Sequence, residues 1–165
     1  MTAVRRPPNA AVIGPGDTAD STLLADAEAV GAGLARAGAT IVCGGLGGVM
    51  AAAARGARSA GGQVIGMLPG VDPGAANEWV GVAVPTGLGQ GRNLLVVRGA
   101  RVVVAVGGSW GTLAEVALAR RLDIPVVSLH GWTVDGPGAG DNVVVVQTAD
   151  EAVRAAASWL SSSPE

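Results

Sequence analysis

Short runs of apolar, mostly β-branched residues alternate along the chain with longer segments that are rich in alanine and leucine. The apolar runs span four to six residues, which is typical of strands buried on both faces of a parallel sheet. The longer segments carry helix signals, such as Asp20 or Ser21 as a cap and Gly38 as a stop. Strands are predicted over 10–13, 40–43, 63–68, 79–84, 101–106, 125–129 and 142–146. Helices are predicted over 18–37, 49–59, 92–99, 112–122 and 149–160.

This alternation predicts an α/β fold, with a Rossmann-like, doubly wound and mostly parallel sheet of about seven strands and helices on both faces. We expect a single nucleotide- or phosphate-binding domain over 9–160, with tails at 1–8 and 161–165. In such a sheet, ligands bind beyond the carboxyl ends of the strands, where the strand order reverses. The glycine-rich turns that follow predicted strand ends can therefore converge on one crevice, and they begin at Gly14, Gly44, Gly87 and Gly107.

Composition narrows the classes of function. The net charge is −2 and all 11 basic residues are arginines that form no positive block, so we expect no nucleic-acid partner. The longest valine-rich runs, 102–106 and 143–146, are far too short to span a membrane. The N-terminus carries no convincing secretory signal, so we expect a cytoplasmic protein without a membrane partner. The lone Cys43 excludes a disulfide framework, and we predict no metal site and no required cofactor.

The turn after the second predicted strand holds four glycines in five residues, 44–48. Glycine lets backbone N–H groups approach a ligand closely, and the helix N-terminus that follows favours an anion. The turn matches neither the Rossmann fingerprint nor the P-loop, which needs a lysine that this chain lacks. We predict that it helps to bind a phosphate, with tight strand–helix packing as the alternative. The ligand-binding residues predicted for this part of the crevice are Gly14, Gly44, Gly45, Gly47, Gly48 and Met50.

The turn after the fifth predicted strand is the more specific of the two. Its predicted ligand-binding residues are Gly107, Gly108, Ser109, Trp110, Gly111 and Thr112. Thr112 and Glu115 form a capping box in outline, which is a structural explanation for a carboxylate that would also project toward the crevice. Trp110 has little core to enter from a glycine turn, so it either stacks on a flat heterocycle or fills a subunit contact.

Arg92 and Asn93 open the short helix that follows the turn at Gly87. A guanidinium is a fork-shaped donor that suits a phosphate or a purine edge, although an exposed surface position is the usual one for arginine. We predict both residues in the ligand site. Arg98 is a weaker candidate because it falls on another helix face, and His130 is expected to be a satisfied loop residue.

Three segments, 44–50, 61–69 and 107–115, resemble in this order the motifs of the lonely-guy superfamily, which was long mislabelled as lysine decarboxylases. This superfamily includes cytokinin-activating phosphoribohydrolases and molybdenum-cofactor carrier proteins. The hydrolase signature P-G-G-x-G-T-x-x-E, with its upstream arginine, is similar to this chain at Gly111, Thr112, Glu115 and Arg92. The resemblance implies Arg92 and Glu115 as catalytic residues, and a homodimer or homotetramer, with which the apolar fraction of 49% agrees.

The chain also departs from the hydrolase signature, because Gly107-Gly108-Ser109 stands in place of its Pro-Gly-Gly. The segment 85–93 instead resembles the shorter branch that contains the carriers. Our first expectation is therefore a protein that binds a nucleotide or another phosphorylated ligand, such as a molybdopterin-type pterin. The alternatives are a phosphoribohydrolase, which cleaves nucleoside 5′-monophosphates to a base and ribose 5-phosphate, and a non-catalytic structural subunit.

Overall fold

A parallel sheet organises the computed structural model, which describes residues 7–136 and 143–161. Within these residues seven strands pair in the order β4-β3-β2-β1-β5-β6-β7, and every neighbouring pair is parallel. The strands are β1 (Asn9–Ile13), β2 (Thr40–Cys43), β3 (Val64–Leu68), β4 (Val82–Pro85), β5 (Val102–Val106), β6 (Val126–Leu129) and β7 (Val143–Val146). The strand order reverses between β1 and β5, which is where this fold class places its ligands.

Helices cover both faces of the sheet, as the sequence predicts. The α-helices are α1 (Ser21–Arg36), α2 (Gly48–Ser59), α3 (Asn93–Arg98), α4 (Trp110–Arg121) and α5 (Ala149–Ser161). Helices α1, α2 and α5 bury their apolar side chains on one face, and α3 and α4 bury theirs on the other. Two 3-10 turns, Pro73–Ala75 and Gly89–Arg92, lie before β4 and α3. None of the helices in the described ranges is long and apolar enough to cross a membrane.

Small residues let α1 and α2 pack with their backbones in contact. A Cβ at Gly56 would overlap the carbonyl oxygen of Glu28, and a Cβ at Gly31 would overlap that of Ala53. Asp20 starts α1 as the N-cap, where its side chain accepts hydrogen bonds from the N–H groups of Thr22 at 2.9 Å and of the next residue at 3.2 Å. The expected cap and the close packing together fix the start of α1 and its position against α2.

The fourth strand begins later than the sequence predicts. The predicted strand 79–84 begins only at Val82, because Asn77 holds the preceding residues in a turn. The Asn77 amide group donates to the carbonyl oxygens of Gly45 and Leu46, and its side-chain oxygen accepts the Trp79 N–H. Three predicted segments lie partly outside the described residues: the tails, at 1–6 and 162–165, and the last strand, at its first residue.

Candidate functional site

A cavity of about 150 Å³ lies beyond the carboxyl ends of β1 and β5, at the reversal of the strand order. A Cβ at Gly14 would overlap the Val106 carbonyl oxygen, so a glycine here lets the turns after the two strands approach each other. The residues that line the cavity are Val12, Ile13, Gly14, Gly16, Gly44, Met50, Gln90, Arg92, Asn93, Ser109, Gly111, Thr112 and Glu115. Each of the four predicted glycine-rich turns therefore contributes to the lining, and the turn at Gly87 does so through Gln90.

Glu115 brings a buried carboxyl group to this cavity. The residue lies in α4 and is 8% exposed. Among residues 7–136 and 143–161, no donor forms a hydrogen bond to its carboxyl group. Burial raises the pKa of Glu115 from 4.5 to about 7, and the positive charge of Arg92 opposes that rise. The group can therefore gain or lose a proton near neutral pH, which suits either an acid–base role or the acceptance of an anion.

Arg92 faces the same cavity from the end of the 3-10 turn before α3. Its guanidinium lies against Gly44, where a Cβ would come within 2.7 Å of Nη2 and 2.5 Å of the Met50 sulfur. The Arg92 Nη1 donates a hydrogen bond to the Asn93 side-chain oxygen. The Nε of Arg92 is buried and has no hydrogen-bond partner within the described chain. A buried donor without a partner is costly, so an anion or acceptor bound in the cavity would relieve it.

Cys43 lies at the end of β2, directly before the cavity-lining Gly44. Burial raises the pKa of the Cys43 thiol to about 11, while a backbone hydrogen bond from Gly45 and the charge of Arg92 oppose that rise. Cys43 is therefore a neutral, buried thiol. Across the described residues, no group of three or more His, Cys, Asp or Glu is arranged to hold a metal ion.

Helix α4 points its N-terminus at the cavity. Ser109 is its N-cap, since the Ser109 hydroxyl accepts the Thr112 N–H at 3.2 Å and pairs with the Thr112 hydroxyl at 3.0 Å. The prediction that Thr112 caps this helix is thus wrong, because the helix begins two residues earlier, at Trp110. Because Ser109 is the N-cap, Glu115 is not at the capping-box position, and this explanation for its carboxyl group no longer applies. The first N–H groups of a helix and its dipole favour an anion at this end.

Most of the predicted site residues line the cavity, namely Gly14, Gly44, Met50, Arg92, Asn93, Ser109, Gly111, Thr112 and Glu115. Their role in binding stays a prediction. Gln90 and Gly16 also line it but were not predicted. The signal for both was present in the sequence, because Gly16 belongs to the Gly-Pro-Gly turn after β1 and Gln90 stands two residues before Arg92.

The remaining predicted residues do not line the cavity, namely Gly45, Gly47, Gly48, Gly107, Gly108 and Trp110. Several of these glycines make close packing contacts, as the alternative interpretation expects, and their role in binding stays a prediction. A Cβ at Gly48 would overlap the Pro15 carbonyl oxygen, and a Cβ at Gly47 would lie 2.9 Å from the Gly16 oxygen. The Val49 N–H donates to the Pro15 carbonyl oxygen at 3.0 Å, so the start of α2 is tied to the turn after β1.

His130 lies outside the cavity and pairs with Asp26 at 3.2 Å, as expected for a satisfied loop histidine. Its φ of 54° places it in the left-handed region, where the chain turns away from β6.

Comparisons with known proteins agree with this geometry. The model of the SLOG cluster4 family (LDcluster4) matches residues 7–159. An uncharacterised protein of Archaeoglobus fulgidus is 35% identical over 143 residues, which cover 87% of this chain and 90% of the relative. The molybdenum cofactor carrier protein of Chlamydomonas reinhardtii superposes with a TM-score of 0.83 and 34% identity, over 95% of this chain and 100% of its own.

The molybdenum cofactor binding protein of Rippkaea orientalis gives a TM-score of 0.81 and 32% identity, over 91% of this chain and 95% of its own. The family match, the structural matches and the motifs around the cavity point to the same group of proteins. The chain belongs to the SLOG cluster4 family, and it is a lonely-guy superfamily member similar to the molybdenum cofactor carrier proteins.

Proposed function

We propose that this protein binds a nucleotide or a molybdopterin-type pterin, with the phosphate of the ligand held in the cavity between β1 and β5. One observation carries the proposal: the N-terminus of α4 and the guanidinium of Arg92 face the same small cavity. A helix N-terminus supplies N–H donors and a favourable dipole, and arginine supplies a fixed pair of donors. The unpartnered Nε of Arg92 adds a buried donor for which an anion is the natural acceptor.

The size of the cavity supports a phosphate rather than a whole ligand inside it. Its volume is about 150 Å³. Sites that enclose an entire small ligand usually measure ~300–1,000 Å³. A phosphate or a phosphorylated sugar fits, and the rest of a nucleotide or pterin would extend out of the cavity.

Glu115 is compatible with an anion in this cavity when it is protonated. Because its pKa is raised to about 7, the carboxyl group is largely neutral below that pH and can donate a hydrogen bond to a phosphate oxygen. Above pH 7 the carboxylate would repel the ligand. The names of the two relatives of known structure supply the class of ligand, since both are molybdenum cofactor proteins.

The test is a thermal-shift and calorimetric titration with inorganic phosphate, AMP and molybdopterin, in a buffer free of phosphate. A ligand at 100 times its Kd adds about 2.7 kcal/mol to the free energy of unfolding, so Tm should rise by roughly 5–10 °C. Arg92→Met should weaken binding at least tenfold, whereas Arg98→Met, which changes an exposed arginine at the end of α3, should not. No shift with any of these compounds would favour the purely structural subunit.

A second candidate function is phosphoribohydrolase activity, and the raised pKa of Glu115 is the observation that favours it. In that reaction the N-glycosidic bond breaks, a water oxygen bonds to the sugar carbon, and the base leaves with a proton. The Glu115 carboxylate would orient the water or stabilise the oxocarbenium-like centre, and Arg92 would assist the leaving base. The α4 N-terminus would hold the phosphate.

This second function is tested by incubating the protein with AMP and measuring free adenine by chromatography. Release that disappears in Glu115→Gln and persists in Glu78→Gln, an exposed control, would establish it. AMP binding without release of adenine would leave the carrier-like function as the better description.

A further inference from the structure

Trp110 is an exposed aromatic side chain at the edge of the candidate site. It is the first residue of α4 and is 77% exposed, although a large aromatic ring normally gains from burial. Its two neighbours in the chain, Ser109 and Gly111, both line the cavity, whereas Trp110 itself does not. Trp110 is therefore next in the chain to two cavity-lining residues, and its exposed side chain lies outside the cavity.

The indole ring of Trp132 packs against that of Trp110. The ring centroids of Trp110 and Trp132 lie 4.9 Å apart with an interplanar angle of 37°, a geometry in which aromatic pairs attract each other. Trp132 is fixed in turn, because its Nε1–H donates to the Ser109 carbonyl oxygen at 2.9 Å. A Cβ at Gly108 would lie 2.9 Å from the Trp132 ring, so glycine makes room for this arrangement.

The two tryptophans thus form a supported platform, in which the Trp110 ring contacts Trp132 and stays 77% exposed. Helix α4 does not need such a pair for its own start, since Ser109 already caps it. The sequence left two explanations for Trp110, stacking on a flat heterocycle or filling a subunit contact. The limited volume of the cavity favours stacking, because a ligand with its phosphate inside would place its ring system beyond the opening.

We propose that Trp110, backed by Trp132, stacks on the planar heterocycle of the bound ligand, a purine or a pterin, and so selects heteroaromatic phosphates over simple sugar phosphates. This inference rests on the first function proposed above, in which the phosphate occupies the cavity. Base–aromatic stacking tolerates different ring systems because every heterocycle offers a π face. The platform therefore selects the class of ligand and not one member of it.

The experiment compares paired ligands by calorimetry: AMP against ribose 5-phosphate, and molybdopterin against inorganic phosphate. We expect the ring-bearing ligand of each pair to bind the wild-type protein roughly 5- to 150-fold more tightly, as stacking energies imply. Trp110→Ala should remove most of this advantage while ribose 5-phosphate and inorganic phosphate bind as before. Trp110→Phe should restore part of it, and Trp159→Phe, a tryptophan on α5, should leave it intact.

The results separate this inference from the proposed function. If phosphate and ribose 5-phosphate bind but Trp110→Ala retains the full preference for the ring-bearing ligands, the inference is wrong and the proposed function stands. The same holds if Trp110→Ala alters only the mass measured by light scattering, which would make Trp110 a subunit contact. If none of the four compounds binds the wild-type protein, both proposals fail. The pair that shows the larger effect of Trp110→Ala distinguishes a nucleotide from a pterin.

Discussion

The buried carboxyl group of Glu115 should make the stability of this protein depend on pH in an unusual direction. Its pKa is 4.5 in an ordinary environment and about 7 in the folded chain, because burial penalises the charged form. Between these two values the folded chain keeps a proton that the unfolded chain has lost. The unfolded state therefore binds fewer protons, and the free energy of unfolding falls as the pH rises through this window.

At pH 8 the raised pKa lowers the free energy of unfolding by about 3 kcal/mol. Below pH 4.5 it has almost no effect, because the carboxyl group is then protonated in both states. Glu115→Gln replaces the carboxyl group by a neutral amide of similar shape. The stability of this variant relative to the wild type should therefore rise by up to about 3 kcal/mol between pH 4.5 and pH 8. For a chain of 165 residues this corresponds to a relative gain in Tm of roughly 6–12 °C.

The assay is urea unfolding followed by tryptophan fluorescence at intervals from pH 5 to pH 8, in buffers without phosphate. Other titrating groups contribute equally to the wild type and the variant, so the difference between the two isolates Glu115. Glu78→Gln, which changes an exposed glutamate, should give a flat difference. A Glu115→Gln difference that stays flat across this range would refute the reasoning, since a buried carboxylate without a donor would then carry no penalty.

Three further substitutions test the packing of the site and its supports. Gly44→Ala should weaken phosphate binding at least tenfold in calorimetry, because the new methyl group would displace the Arg92 guanidinium. Gly70→Ala has open space around its new methyl group and should leave binding unchanged. Gly56→Ala should lower the free energy of unfolding in urea by about 1–3 kcal/mol through overpacking between α1 and α2, and unchanged stability would contradict the close backbone contact. Ser109→Ala should cost about 1 kcal/mol by removing the α4 cap, against little change for the exposed Ser158→Ala, and an equal effect of the two would argue against that cap.

The strands and helices were largely predictable because their signals are local. Buried parallel strands appear as short β-branched runs, and Asp20 with the residues that follow it predicts the cap of α1. The late start of β4 arose where a longer-range contact intervened. The Asn77 side chain donates hydrogen bonds to the turn after β2, so β4 begins later than predicted. The periodicity of the residues around Asn77 does not indicate these hydrogen bonds.

The sequence by itself determined the class of fold and the residue types near the site, since glycine-rich turns after strands and the motif at Glu115 are short-range patterns. Only the tertiary structure decided which of these residues meet. Strand order is set by pairing between distant segments, and it places the end of β5 beside β1, so that Arg92 and Glu115 share one cavity. The raised pKa of Glu115 depends on burial by neighbours that are remote in the chain, and so does the contact of Trp110 with Trp132. No local pattern could have predicted either.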